Sequence, residues 1–560
     1  MNAASAAPAQ PAPNQEAPAK QALMREARAH YALGLSEQSA GRMDAAIAHL
    51  DAALRLAPDF PEALSTGGYI LQSRGHIAGA LAFYGRAVEL KPDDFTSLFN
   101  MGGLLLGQGE RGLALDCLSR ACALQPRHAG AAANYGAALA EIGRLEDAVE
   151  HLRRALALDP NLGPAALNLG NALMRLGRYE EAHRAYALAL ALRPDYLLAW
   201  VGLGIVAKEM GRFDEAMAAY DRALAIDPNS IETRGNRGCL QLLLGDFAEG
   251  WEGYEDRWFE GCRPLPASSA RFDLAAPETI RGRRILVVND HGLGDSIQFF
   301  RYVLLLAQAG ADVTFAAPEK LRRLLGGSGA ALAWRDESDL SGAFDAALAI
   351  SSLPRAFATR VDTVPAPIPY LRADPALQAR WREKLAGPGP KIGLCWRGSQ
   401  DFRVDPRRSI PPEALVPLAA AGARFFALQK DATPEELPEP LRPHVQFFGA
   451  GYDDGPDAFV DTAAIMAELD LVISCDTSTA HLAGALGRPV WLALRHVAEW
   501  RWMTERLDSP WYPTMRLFRC GAGDDWRGLF ETIAGEIARG FPQAIRGEPA
   551  PVVPIWHIGE

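Results

Sequence analysis

Four short segments carry residue types that could do chemistry. The first is Asn289-Asp290-His291-Gly292-Leu293-Gly294-Asp295-Ser296. Gly292 and Gly294 permit a tight turn and close approach of a ligand. Asp295 is suited to act as a general base on an acceptor hydroxyl. The competing reading is a helix start, because Asp295 and Gln298 have the spacing of a capping box. The second segment is Ser474-Cys475-Asp476-Thr477-Ser478-Thr479-Ala480-His481. Free amide groups at a helix start there would suit a diphosphate. Thr477 and Ser478 would add hydroxyl donors. Asp476 would repel phosphate, so it suits sugar or ribose hydroxyls, or caps the helix. His481, one turn in, is within reach of a phosphate or sugar oxygen. An ordinary helix start explains the same residue types.

The third segment runs from Trp396-Arg397-Gly398-Ser399 to Arg403, Arg407, Arg408 and Ser409. Its arginines would neutralise a leaving nucleoside diphosphate, or simply coat a solvated loop. The fourth is Gln429-Lys430-Asp431, where Lys430 is either a phosphate contact or a surface lysine. Other chemistries lack their signatures. There is no HExxH, Walker A loop or GxSxG elbow, and the 11 histidines show no metal-ligand spacing. No Asp-x-Asp ends a strand, which argues against a metal-held nucleotide. No resident cofactor is expected.

The elements that must position these residues alternate between strand and helix patterns. Strands are expected at 284–289, 312–316 and 344–350, with helices at 295–309 and 376–385. The pattern restarts with strands at 391–396, 424–428, 471–474 and 489–493, and helices at 412–420, 462–469, 477–486 and 525–539. Two such runs imply two doubly wound parallel sheets, divided near 365–390. Each segment above follows a strand, where ligands of such sheets bind, so the natural site is the cleft between the sheets.

The first half obeys a different rule. Prolines fall at 58, 92, 126, 160, 194 and 228, always 34 apart. Glycines keep that step at 34, 68, 102, 136, 170, 204 and 238, and again at 41, 75, 109, 143, 177, 211 and 245. Two alanine series start at Ala46 and Ala53. This period and these residues resemble the tetratricopeptide repeat, an α-solenoid of stacked helix pairs. The expected array spans 25–262, with six full repeats and a capping unit in which Gly250 and Arg257 replace the alanines. The segment from Gly250 to Trp258 is expected to pack on the next domain. Such arrays offer a groove for a protein or peptide; a plain spacer is the alternative. An Ala/Pro-rich leader at 1–24 and a Pro-rich tail at 542–560 are expected to be disordered, and 263–280 reads as a linker.

The chain of 560 residues is too long for one core. Its net charge of -11 argues against bulk binding to nucleic acid or an anionic membrane. Seven cysteines without a CxxC pair read as reduced thiols of a cytoplasmic protein. No apolar run approaches the roughly 20 residues of an integral membrane segment.

From about Arg281 to Arg539 the chain resembles the bacterial heptosyltransferase-like glycosyltransferases. The matching pieces are Gly294-Asp295, the strand end Gly393-Leu394-Cys395-Trp396, and the run from Asp476-Thr477 through His481 to Pro489-Val490. The resemblance implies a GT-B fold: two facing Rossmann-like domains, at 281–385 on the acceptor side and 386–541 on the nucleotide-sugar side. It implies metal-independent glycosyl transfer with Asp295 as base. Asp476, Thr477 and His481 would lie at the donor, joined by Gly292, Gly294, Trp396, Arg397, Arg408, Gln429, Lys430 and Ser478. Two positions depart from the family pattern: Ser478 stands where Gly is frequent, and Arg397 where Lys is usual. A non-catalytic interaction scaffold with a degenerate GT-B half is the main alternative. Other nucleotide-sugar chemistry, such as epimerisation, is a third.

Overall fold

The computed structural model describes residues 16–257, 270–398, 406–449 and 451–540. The chain folds as two compact units, which divide between Ala207 and Lys208. Ser399, Arg403, Trp258, Cys262 and the tail lie outside the described residues.

Among the described residues, the repeats form fourteen helices in antiparallel pairs. They are α1 (Glu16–Ser39) with α2 (Met43–Leu56), α3 (Pro61–Ser73) with α4 (Ile77–Leu90), and α5 (Phe95–Gly107) with α6 (Arg111–Leu124). Next come α7 (Ala129–Glu141) with α8 (Leu145–Leu158) and α9 (Gly163–Arg175) with α10 (Tyr179–Leu192). The last are α11 (Leu197–Glu209) with α12 (Phe213–Ile226) and α13 (Ile231–Leu243) with α14 (Phe247–Tyr254). The glycine series from Gly41 to Gly245 closes each turn with φ between 73° and 88°, where a Cβ would be strained. The other series marks close helix approach. A Cβ on Gly102 would lie 2.6 Å from Leu118 Cγ, and one on Gly170 2.7 Å from the Tyr186 ring. Alanines of both series, such as Ala114 and Ala121, are fully buried.

One boundary differs from expectation. Helix α1 begins at Glu16, so 16–24 is helical rather than disordered leader. Its Lys-Gln-Ala-Leu-Met-Arg-Glu run consists of strong helix formers, and Met24 packs on the first core cluster. In the last pair, α14 has only 8 residues. On this helix Trp251 packs on the next domain, as expected of a capping unit: it donates its indole N–H to the Thr359 carbonyl at 2.9 Å and lies edge-on to Trp500.

The rest is α/β. The first sheet has the order β3-β2-β1-β4, built from β1 (Arg284–Val288), β2 (Asp312–Ala316), β3 (Ala333–Arg335) and β4 (Ala346–Ala349). The second has the order β10-β9-β8-β5-β6-β7. Its strands are β5 (Lys391–Cys395), β6 (Arg424–Ala427), β7 (Val445–Gln446), β8 (Leu471–Ser474), β9 (Val490–Leu494) and β10 (Met515–Arg519). All pairings within both sheets are parallel. Helices α15 (Leu293–Gln308), α16 (Arg322–Gly326) and α17 (Leu353–Ala356) accompany the first sheet; α18 (Pro375–Lys384), which packs on α19 (Val460–Met466) and donates from Trp381 to Asp461 at 2.6 Å, goes with the second, as do α20 (Ser478–Ala485) and α21 (Trp526–Ala538). Strands β3, β7 and β10 are additions to the expected set; β3 and β7 are too short to show a pattern. The segment Pro412–Ala420 is 3-10 rather than α-helical, because Pro417 inside it lacks an N–H.

Candidate functional site

Strand order reverses between β1 and β4 in one sheet and between β5 and β8 in the other. Crevices open at such switch points, beyond the carboxyl ends of the strands. The loops after β1, β5 and β8 are three of the four segments singled out above. Asp290 spans the first switch point, accepting from the Ser351 amide at 3.3 Å and from its hydroxyl.

Helix α15 starts after Gly292, and no side chain caps it. Asp295 therefore does not serve as a cap. Its carboxylate pairs with Arg501, and its side chain is 20% exposed. Arg501 also donates to Gln298 Oε1 at 2.5 Å and pairs with Glu499 at 2.7 Å. Its guanidinium lies 4.3 Å from the Trp500 ring centroid. Burial works against its charge, but Glu499 and Asp295 outweigh that and hold its pKa well above the ordinary value. Two turns along, the buried Arg301 donates to the carbonyls of Trp511 at 2.6 Å and Pro365 at 2.8 Å and to the Tyr370 hydroxyl at 3.2 Å.

Asp476 is buried, which pushes its pKa up; Glu499 adds to the shift, and Arg408 opposes it. It shares a cavity of about 10 Å³ with Arg408, Arg495 and Glu499. That volume holds about one water. Arg408 is half-buried, and its Nε is enclosed without a hydrogen-bond partner among the described residues. Arg407 turns away to Glu209 at 3.2 Å, and Arg495 reaches the same carboxylate at 2.8 Å.

The other expected donor residues are placed differently. Thr477 is the N-cap of α20 without a side-chain bond, and Ser478 is half-buried beside it. The Gly292–Gly294 turn abuts this helix start: a Cβ on Gly294 would lie 3.4 Å from Ser478 Cα and 3.1 Å from His481 Cδ2. His481 sits in the packed interior rather than on an open ligand surface. Its Nδ1 meets the Tyr512 hydroxyl at 3.0 Å, and its ring stacks on Trp502 at 5.4 Å. Burial, with Arg501, Arg301 and Arg408 nearby, drives its pKa well down, so the ring is neutral.

Trp396 corrects to a core residue, 1% exposed within the second sheet's hydrophobic cluster. The Arg397 guanidinium is held by Glu436 at 3.0 Å, so it does not face the cavity as a free cation. Gln429 accepts the Arg397 amide at 3.0 Å and thereby ties β5 to β6. Lys430 donates to the Asp453 carbonyl at 2.9 Å. Their side chains serve the fold because each loop after a buried strand must satisfy its own polar groups. Sequence reasoning missed Glu499, Trp500, Arg501 and Trp502, which follow β9. Their available signal was an acidic, aromatic and basic cluster just past a buried strand.

Models of the tetratricopeptide repeat match residues 17–61, 31–95 and 167–231, and a TPR repeat model matches 136–177. The N-terminal region is a tetratricopeptide repeat array. The chain is 28% identical over 331 residues to Protein FlbA of Caulobacter vibrioides, covering 54% of this chain and 53% of that protein. It thus spans about half the length of this curated relative. Among solved structures, YrrB, a TPR protein with an unusual peptide-binding site, is 21% identical with a TM-score of 0.29, over 33% of this chain and 95% of its own. PilF of Pseudomonas aeruginosa is 22% identical with a TM-score of 0.34, over 38% and 97%. MamA from Desulfovibrio magneticus is 23% identical with a TM-score of 0.28, over 30% and 97%. No described helix is long and apolar enough to cross a membrane.

Proposed function

We propose that the α/β part is a metal-independent glycosyltransferase of the GT-B type, and that the repeat array selects a protein acceptor for it. One observation carries this reading. Asp295, from the first sheet's switch point, pairs with Arg501, which also holds Glu499, and Glu499 lines one cavity with Asp476 and Arg408 at the second sheet's strand ends. In the proposed reaction the sugar–diphosphate bond breaks as the acceptor oxygen bonds the sugar carbon. Asp295 takes the acceptor proton, and Arg501 and Arg408 meet the charge on the departing diphosphate.

In this reading the conformation described is the closed one. A sugar nucleotide needs a pocket of roughly 300 Å³ or more, against about 10 Å³ here. Donor binding in this reading parts Gly294 from Ser478 and transfers Arg501 from Asp295 to the diphosphate. The test is release of free nucleoside diphosphate from a panel of sugar nucleotides, with and without candidate protein acceptors. Release that Asp295→Asn abolishes supports the proposal. Absence of both release and calorimetric binding across the panel overturns it.

A second reading has its own support. The Asp295–Arg501 pair, the buried His481 and the small cavity all suit an interaction scaffold whose α/β half no longer turns over. Sugar-nucleotide binding without release in any combination would favour it.

A further inference from the structure

At one register position the second helices of the repeats carry Arg86, Arg120, Arg154 and Arg222, each a multiple of 34 residues from the next. Three of these arginines fasten a helix to the preceding connection: Arg86 pairs with Asp59 at 2.7 Å, Arg120 donates to the Pro92 carbonyl at 2.7 Å, and Arg154 to that of Pro126. The first and last pairs carry Ala52 and Asp256 there, and the fifth, flanked by arginine-bearing pairs, carries Leu188, which is 37% exposed. Leu188, Leu169, Leu173 and Ala185 floor an open groove of about 340 Å³ between α8, α9 and α10. Two non-periodic arginines edge it. Arg153 shares Glu181 with Arg178, so that carboxylate is already doubly engaged. Arg184 is exposed and has no ion pair or hydrogen bond among the described residues.

The geometry points to a docking site on the second-helix face, for a partner protein segment that inserts one aliphatic side chain among Leu169, Leu173 and Leu188 and sets a carboxylate against Arg184. An apolar floor beside an unmatched guanidinium selects that combination: the floor rewards burial and the arginine rewards an acidic neighbour. A basic neighbour would be repelled. The site requires only that the array binds protein, and it stands whether or not the α/β part transfers sugar.

The test selects a displayed library of random short peptides on the immobilised full chain. Winners are re-measured on Leu188→Arg and Arg184→Glu. Leu188→Arg installs the residue type that the second, third, fourth and sixth pairs carry there, and an unchanged circular-dichroism melt confirms that it folds. The expected winners pair Leu, Ile or Val with an adjacent Asp or Glu. They should lose roughly tenfold or more in affinity on Leu188→Arg. On Arg184→Glu the preferred neighbour should switch to Lys or Arg. Failure to enrich such peptides, or binding to Leu188→Arg within roughly twofold of the parent, overturns the proposal. So does sedimentation showing that the parent self-associates through this face and Leu188→Arg does not, because the occupant is then a second copy.

Discussion

Replacing Arg501 by Met tests how the two sheets are held together. The guanidinium has three side-chain partners, Asp295, Gln298 and Glu499, and it lies on the Trp500 face. Met keeps most of the side-chain volume but leaves two carboxylates without their cation. Breaking a fully buried pair costs about 3–5 kcal/mol. Here the Asp295 and Glu499 side chains are 20% and 31% exposed, so water recovers part of the loss. The expected destabilisation is therefore about 2–4 kcal/mol. A single unfolding free energy is poorly defined for a chain of several parts. The assay is hydrogen exchange read by mass spectrometry on peptides from α15 and from 495–512, where the loss should appear as faster exchange. Peptides from α5 to α8 should not change. A loss under about 1 kcal/mol in α15, or equal changes in the repeats, would refute the reasoning. Arg501→Lys should fall between the two, since it keeps the charge but not the forked donors.

Other outcomes follow from the same geometry. Asp476 has a raised pKa in the folded state, so the fold binds its proton more tightly than the unfolded chain does. Stability from this group is present below the ordinary carboxylate pKa and falls as pH rises toward the raised value. Asp476→Asn should flatten that limb of a stability–pH profile; an unchanged slope would count against it. His481 behaves oppositely, because its lowered pKa keeps the folded state neutral while the unfolded chain protonates near pH 6.5. Stability should drop below about pH 6.5, and His481→Gln should weaken the drop in pH-dependent melts. Gly170→Val would press a side chain into the Tyr186 ring and should cost about 1–3 kcal/mol, read as faster local hydrogen exchange around the substituted helix. Trp251→Phe loses the bond to the Thr359 carbonyl and should cost about 1 kcal/mol by the same measurement.

The repeats were legible because each periodic residue solves a local problem: a glycine with positive φ at every turn, or an alanine where helices touch. The buried strands were legible from their apolar runs. The short edge strands β3 and β7 were not, since two or three residues carry no period. The loops at the switch points were located correctly as segments, but the direction of their side chains was not. Trp396 and Arg397 follow the same strand as the cavity-lining Arg408, yet Trp396 points to the core and Arg397 to Glu436. Only tertiary packing decides such alternatives. Arg501 was invisible for the same reason: its partner Asp295 lies more than 200 residues away.

Glu209 ends α11, and its carboxylate holds Lys208 at 3.2 Å, Arg407 at 3.2 Å and Arg495 at 2.8 Å. Arg495 is also part of the wall around Asp476. The stretch from Lys208 through α14 is therefore part of the sheet-bearing unit. A truncation that begins after residue 270 would strand two guanidiniums that this carboxylate neutralises, and would strip the Trp251 face from Thr359. Dissecting this protein at the point where its sequence period stops would damage both pieces; a cut ahead of α11, before Leu197, keeps Glu209 on its own helix and with the guanidiniums it holds.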